Sequence, residues 1–197
     1  MRILVVGAGG TLGRALLEAL GPGHDVLAAS RSAPLRVDIG APESIRALYR
    51  KVGPLDAVVG VAGHATFRPL AELTDQEIET SLRVKLLGQV NLVRLGFSAV
   101  KDGGSITVTS GTLARVPMRG SAAISLANAG LEGFVRAAAL EAPRGIRVNV
   151  VSPPWVTETL AMLGMDTAGG APAAEVAQLY LRSITGSETG ATLECAR

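Results

Sequence analysis

Short apolar, β-branched runs alternate along this chain with longer stretches in which apolar residues recur every three to four positions. The short runs read RILVV, DVLAAS, AVVGV, SITVTS, IRVNVVS and ATLEC, and RVDIG carries a further strand signal between the second and third of these. Because they are apolar on both parities, they predict strands covered on both faces, as in a parallel sheet built from βαβ units. Helical periodicity fills the gaps at roughly 11–20, 42–52, 75–100, 121–142 and 172–183. Pro42 and Glu43 suit the first turn of one helix, the Thr74–Glu77 stretch TDQE reads as a capping box, and Pro143–Gly145 stops another. No repeat or charge run breaks this order, so one domain over residues 1–197 is expected. The Gly- and Ala-rich stretch 164–174 is either a lid over a site or a surface connection.

Composition narrows the class. Hydrophobic residues make up 48% and charged residues 18% of the chain, which describes a core-rich globular protein. Aromatic residues are only 3%, so Ala, Val, Leu and Gly must fill the core, favouring close approach of helices to strands. The net charge of +2 comes from scattered residues, which argues against a nucleic-acid partner. Cys195 is the chain's one cysteine, and neither C-x-x-C nor a His-rich spacing is present, so no bound metal is expected. The N-terminal apolar run passes straight into a glycine-rich turn without a cleavage site, and no long uninterrupted apolar window follows. A cytoplasmic protein with no membrane partner is the expectation.

The sequence VVGAGGTLG sets Gly7, Gly10 and Gly13 directly after the first strand and at the opening of the first helix. Such a turn lets backbone N–H groups approach a pyrophosphate beside a positive helix end. A strict G-x-G-x-x-G does not fit, since Leu12 takes the third glycine position. Dinucleotide binding is the reading adopted; a turn required only by packing is the alternative. The second strand ends in AASRSA, with Arg31 and Ser32 where an acid would accept from a ribose 2′-hydroxyl. A guanidinium there suits a 2′-phosphate, which favours NADP(H) over NAD(H), unless Arg31 is merely solvated. Asp38 could accept from the adenine amino group or cap the turn before Pro42.

Taken in order, these residues resemble the short-chain dehydrogenase/reductase family over nearly the whole chain. GAGGTLG (7–13) is similar to the family's glycine turn, and GVAG (60–63) to its Asn-Asn-Ala-Gly, keeping Ala62 and Gly63. SITVTSGT (105–112) resembles the strand that ends in the catalytic Ser, here Ser110. RGIRVNVVSPPWV (144–156) resembles the segment whose Pro-Gly lies near the nicotinamide, with Pro154 in place of the Gly after Pro153. The resemblance implies a doubly wound, Rossmann-type α/β fold with a parallel sheet of about seven strands and helices on both faces. It implies cofactor contacts from Gly7, Gly10, Thr11, Leu12, Gly13, Arg31, Ser32, Asp38, Ile39, Ala62, Gly63, Asn128, Pro153 and Val156. Family members are typically longer, so the resemblance implies trimming of the substrate lid and tail and a small or open substrate site.

The departure lies in the catalytic helix. Where the family carries Tyr-x-x-x-Lys, a pair sharing one helix face, this chain has Ile124 and Asn128. Ile cannot move a proton; Asn128 can still hydrogen-bond ribose hydroxyls but carries no charge. Lys85 occupies the family's helix-borne Asn position, so it either restores the missing cation near the cofactor or snorkels outward. Ser110 is the retained catalytic residue. His64, just after Gly63, is an acid–base candidate or an exposed loop residue. Ser125 would point about 100° away from position 124, and Arg115 and Arg119 either bind an anion or only solvate the surface. The resulting expectation is an NADP(H)-dependent oxidoreductase acting on a small carbonyl compound with a non-standard proton donor. Its competitor is an inactive NADP(H)-binding sensor or scaffold. Alanines 122, 123, 127, 129, 137 and 138 permit close helix approach, consistent with a homodimer or homotetramer or with helix packing on the sheet.

Overall fold

The computed structural model describes residues 1–195. Its elements run β1 Arg2–Val6, α1 Thr11–Leu20, β2 Asp25–Ser30, β3 Leu35–Arg36, α2 Pro42–Val52, β4 Leu55–Gly60 and α3 Asp75–Ser81. After a π-helical turn at Leu82–Leu87 come α4 Gly88–Gly96, β5 Val100–Thr109, α5 Ala122–Glu141, β6 Arg147–Val151, α6 Thr157–Met162, α7 Ala173–Thr185 and β7 Thr192–Leu193. All seven strands join one parallel sheet in the order β3-β2-β1-β4-β5-β6-β7. The winding reverses between β1 and β4, and in such a sheet the crevice beyond the strand ends at the reversal receives the ligand.

Beyond Arg2, β1 is apolar on both parities because it feeds two cores. In β1, Leu4 and Val6 pack with Leu48, Leu92 and Leu131 of α2, α4 and α5 on one face. Ile3 and Val5 pack with Leu16 of α1 and with Val176 and Tyr180 of α7 on the other. Burial of this kind contributes roughly 25 cal/mol per Å2 of apolar surface and is the main favourable term. Glycine allows the close approach that the low aromatic content foreshadows: a Cβ on Gly60 would sit 2.8 Å from Leu92 Cδ1.

The capping box forms as the sequence indicates, with the Glu77 N–H donating to Thr74 Oγ1 at 3.2 Å and the Thr74 N–H to Glu77 Oε2 at 3.0 Å. The continuous helix expected over 75–100 does not. The Ser81 hydroxyl donates to the Glu77 carbonyl at 2.6 Å, and the six residues that follow are π-helical. A π turn packs more residues per turn than an α-helix, so the side chains it carries face directions that a 3.6-residue projection misses. The strand after it begins at Val100 rather than Ser105. The register against β4 passes from Leu55–Val100 to Ala57–Ser105, leaving a bulge between them.

The stretch 164–174 is fastened at one end by the Ala171 N–H donating to the Trp155 carbonyl at 2.9 Å. Ahead of it, Met162 Sδ lies 3.9 Å from Thr11 Oγ1 at the start of α1, so the segment after β6 passes beside the glycine turn.

Candidate functional site

The glycine turn after β1 forms the floor of a cleft of about 780 Å3 at the sheet's reversal. Gly7 has φ 101°, and a Cβ there would meet the Ala62 backbone nitrogen at 2.6 Å. A Cβ on Gly13 would meet the Gly7 carbonyl oxygen at 2.3 Å. These two glycines let α1 and the loop after β4 close on the turn. Gly9 and Gly10 instead lie open on the cleft floor, and a Cβ on Gly9 would meet nothing nearer than Ser30 Oγ at 3.9 Å. Gly10 is the N-cap of α1 and supplies no side-chain cap, so the first-turn amides are not covered by a side chain of the cap. Thr11, Leu12 and Gly13 keep everything but their backbone off the cleft: Gly13 is buried beneath the turn, the Leu12 side chain packs toward the α1–α7 core, and the Thr11 hydroxyl meets Met162. Gly9, absent from the expected contacts, lines it because the turn's apex faces the opening.

Arg31 and Ser32 line the cleft at the end of β2. Ser30 Oγ shapes their loop by accepting the N–H groups of Ser32 at 3.2 Å and Ala33 at 3.0 Å. Arg83, from the π-helical turn, joins Arg31 in the lining; its place inside a helical pattern left no signal for this in the sequence. Asp38 does cap its turn, accepting the Gly40 N–H at 2.9 Å, and lines the same cleft with Ile39, Ala62 and Gly63.

Gly63, in the cleft lining, packs directly against Lys85 of a second pocket: a Cβ on it would sit 2.8 Å from Lys85 Cδ. That pocket, about 170 Å3, brings together Lys85, Ser110, Asn128, Pro153 and Val156, with Leu113, Ile124, Pro154 and Trp155 as apolar wall. Lys85 turns inward rather than snorkelling. Its Nζ donates to the Thr109 carbonyl at 2.8 Å and the Ser110 carbonyl at 3.2 Å. Burial among these elements pushes its pKa down to about 8, because the charged form is desolvated and no carboxylate pairs with it. Gln89, one turn on, clamps the same strand end: Nε2 donates to the Thr109 carbonyl and Oε1 accepts the Thr109 N–H, both at 2.7 Å.

Ser110 is buried, and its hydroxyl donates to Glu132 Oε1 at 2.8 Å. Glu132, on α5 two turns beyond Ile124, is buried and also accepts from Ser152 Oγ at 3.0 Å. Its second oxygen pairs with Arg115, which reaches Ser152 Oγ at 3.2 Å and also pairs with Glu194. Arg115 therefore binds an anion, but an internal one, while Arg119 stays exposed. Glu132 was missed in the sequence because it reads as one acid on a helix; only the fold sets it against Ser110.

Asn128 is buried, with Nδ2 3.4 Å from the Gly111 carbonyl and Oδ1 without a partner among the described residues. An orphaned buried acceptor costs free energy unless a ligand hydroxyl fills it. Together with the open glycine floor and the uncapped α1 terminus, it makes a cradle that fits a dinucleotide. His64 does not join Ser110. It is exposed and lines the larger cleft beside Thr80 and Arg83, because the loop carries it outward past Gly63. Ser125 is paired with Ser121 Oγ at 3.0 Å and is not in the pocket. Among the described residues no cluster of His, Cys, Asp or Glu is placed to hold a metal, and no helix is long and apolar enough to cross a membrane.

A family model for enoyl-(acyl carrier protein) reductase matches residues 17–193. The chain is 29% identical to human L-xylulose reductase over 178 residues, 81% of this chain and 73% of that protein. It is 32% identical to versicolorin reductase 1 of Aspergillus parasiticus over 176 residues, 76% of this chain and 67% of that protein. Among solved structures, the protein lin1944 from Listeria innocua superimposes with a TM-score of 0.95 at 40% identity over the full length of both chains. A small-chain dehydrogenase solved in complex with NADPH superimposes with a TM-score of 0.87 at 26% identity, over 98% of this chain and 94% of that one.

Proposed function

The chain belongs to the short-chain dehydrogenase/reductase family, and on that footing we propose that it is an NADP(H)-dependent oxidoreductase of a small, largely apolar carbonyl compound. The observation that carries this reading is the junction at Gly63 and Lys85. It sets a glycine-floored cleft bearing Arg31 beside a pocket holding Ser110, Asn128 and Lys85. When bound, the dinucleotide supplies hydride chemistry. The chain's own residues divide the remaining work. The first-turn amides of α1 and the backbone at Gly9 and Gly10 receive the pyrophosphate. Arg31 and Ser32 receive the 2′-phosphate; no carboxylate stands at the end of β2 to repel it. Asn128 Oδ1 accepts from a ribose hydroxyl, and Pro153 and Val156 flank the nicotinamide. The small volume and the wall of Leu113, Ile124, Pro154 and Trp155 favour a compact apolar substrate.

Titration with NADPH and NADH, followed by turnover assays with benzaldehyde, diacetyl and menadione, tests the reading. NADPH should bind more tightly than NADH, and at least one probe should be reduced. A second reading, a cofactor-holding sensor, draws on Ile124 in the proton-donor position; NADPH binding without turnover of any probe would favour it over the enzyme. A homodimer is the proposed assembly. Leu87 and Leu126 are half-exposed on the packed π-helical turn and α5, whereas Ala123 and Ala127 are buried inside and unavailable to a partner.

A further inference from the structure

Lys85 is the one titratable side chain lining the smaller pocket among the described residues. Two of its N–H bonds go to the carbonyls of Thr109 and Ser110, and the third has no acceptor among the described residues. The other polar groups there are poorly suited to release a proton. Ser110 already donates its only hydrogen to Glu132, so its oxygen can meet a ligand only as an acceptor. Ile124 has no proton to give, and the hydroxyls of Thr112 and Thr159 are weak acids with no base beside them.

Resting on the reductase reading, we infer that Lys85 is the proton donor of this enzyme, its third N–H facing the substrate oxygen. As hydride reaches the carbonyl carbon, a C–H bond forms and the π pair passes to oxygen. An O–H bond forms there while the Lys85 N–H breaks, and the neutral amine regains a proton from water. The carbonyl is reduced by two electrons at the expense of the reduced dinucleotide. The two carbonyl anchors fix the ammonium at the end of β5, and the Gln89 clamp fixes that strand end in turn. Burial at this position holds the pKa at about 8, so the group is charged at neutral pH and gives up its proton more readily than an exposed lysine. The charged groups on the surrounding elements do not pair with it. Glu132 on α5 is taken by Arg115, Ser110 and Ser152, His64 after β4 is exposed, and Arg83 on the same turn lines the larger cleft.

The test has one arm without cofactor and one with it. The chain's lysines are Lys51, Lys85 and Lys101, so 15N-lysine NMR of the cofactor-free protein can follow each ammonium separately against pH. Lys85 should titrate well below the ordinary lysine value of 10.5. In the second arm, Lys85→Arg keeps a cation that releases no proton in the working range. It should retain NADPH affinity while kcat for diacetyl reduction falls about 10²–10⁴-fold, and the alkaline limb of the wild-type kcat profile should coincide with the Lys85 titration. Titration of Lys85 at the ordinary lysine value of 10.5, or a wild-type rate in Lys85→Arg, would overturn the donor role alone. Absence of turnover by the wild type with NADPH bound would overturn the reductase reading and the donor role together.

Discussion

Replacing Lys85 by Met should stabilise the protein at neutral pH and lose that advantage as the pH rises. Burial lowers the Lys85 pKa from 10.5 to about 8 in the folded chain. Below the folded value both states are protonated, and the native state bears the full desolvation cost, roughly 3 kcal/mol at 1.36 kcal/mol per pKa unit. Between the two values the unfolded chain binds more protons than the native one, so wild-type stability rises with pH across that window. Met carries no such cost, but it leaves the Ser110 carbonyl without the Lys85 donor, a loss of about 1 kcal/mol. The Thr109 carbonyl keeps its bond from Gln89. The expected net is a gain of about 2 kcal/mol for Lys85→Met near neutrality, shrinking by roughly the same amount between about pH 7 and pH 9.5. Urea unfolding at matched protein concentration, followed by the fluorescence of Trp155, measures both quantities. A stability difference that stays constant across this range would refute the reasoning, because it would mean that Lys85 keeps its ordinary pKa in the folded state.

Gly13→Ala should abolish cofactor binding and cost about 2 kcal/mol or more, read by thermal unfolding, since its Cβ would press on the Gly7 carbonyl and spread the turn. Arg31→Ala should weaken NADPH about 10- to 100-fold in a fluorescence titration while leaving NADH nearly unchanged, the loss of one charge-assisted contact to the 2′-phosphate. Equal effects on both dinucleotides would remove Arg31 from the phosphate site. Glu132→Gln should destabilise the chain by about 1–2 kcal/mol, because Arg115 loses a buried carboxylate but remains partly exposed to water. An unchanged melting temperature would mean that the Ser110–Glu132–Arg115 contacts carry no net energy.

The strands, the glycine turn, α1, α2 and the Thr74 capping box were legible in the sequence because each rests on short-range rules: side-chain alternation, helical period, turn chemistry and cap spacing. That the chain contains no Tyr-x-x-x-Lys was equally plain, since residue identity needs no coordinates. Which way a charged side chain faces was not legible. Lys85 lies in a pattern compatible with either direction, and the π-helical turn together with its anchors on Thr109 and Ser110 sends it inward. Glu132 and Ser110 are 22 positions apart, and Arg115 reaches Glu194 across 79; only the order of strands in the sheet brings such groups into contact. The sequence by itself therefore determined most of the elements, the glycine-rich turn after the first strand and the residue types at positions 124 and 128. Tertiary structure alone decided that the remaining cation points into the pocket and that the serine's proton is directed to Glu132, because helix rotation and strand order set side-chain environments through contacts distant in the chain.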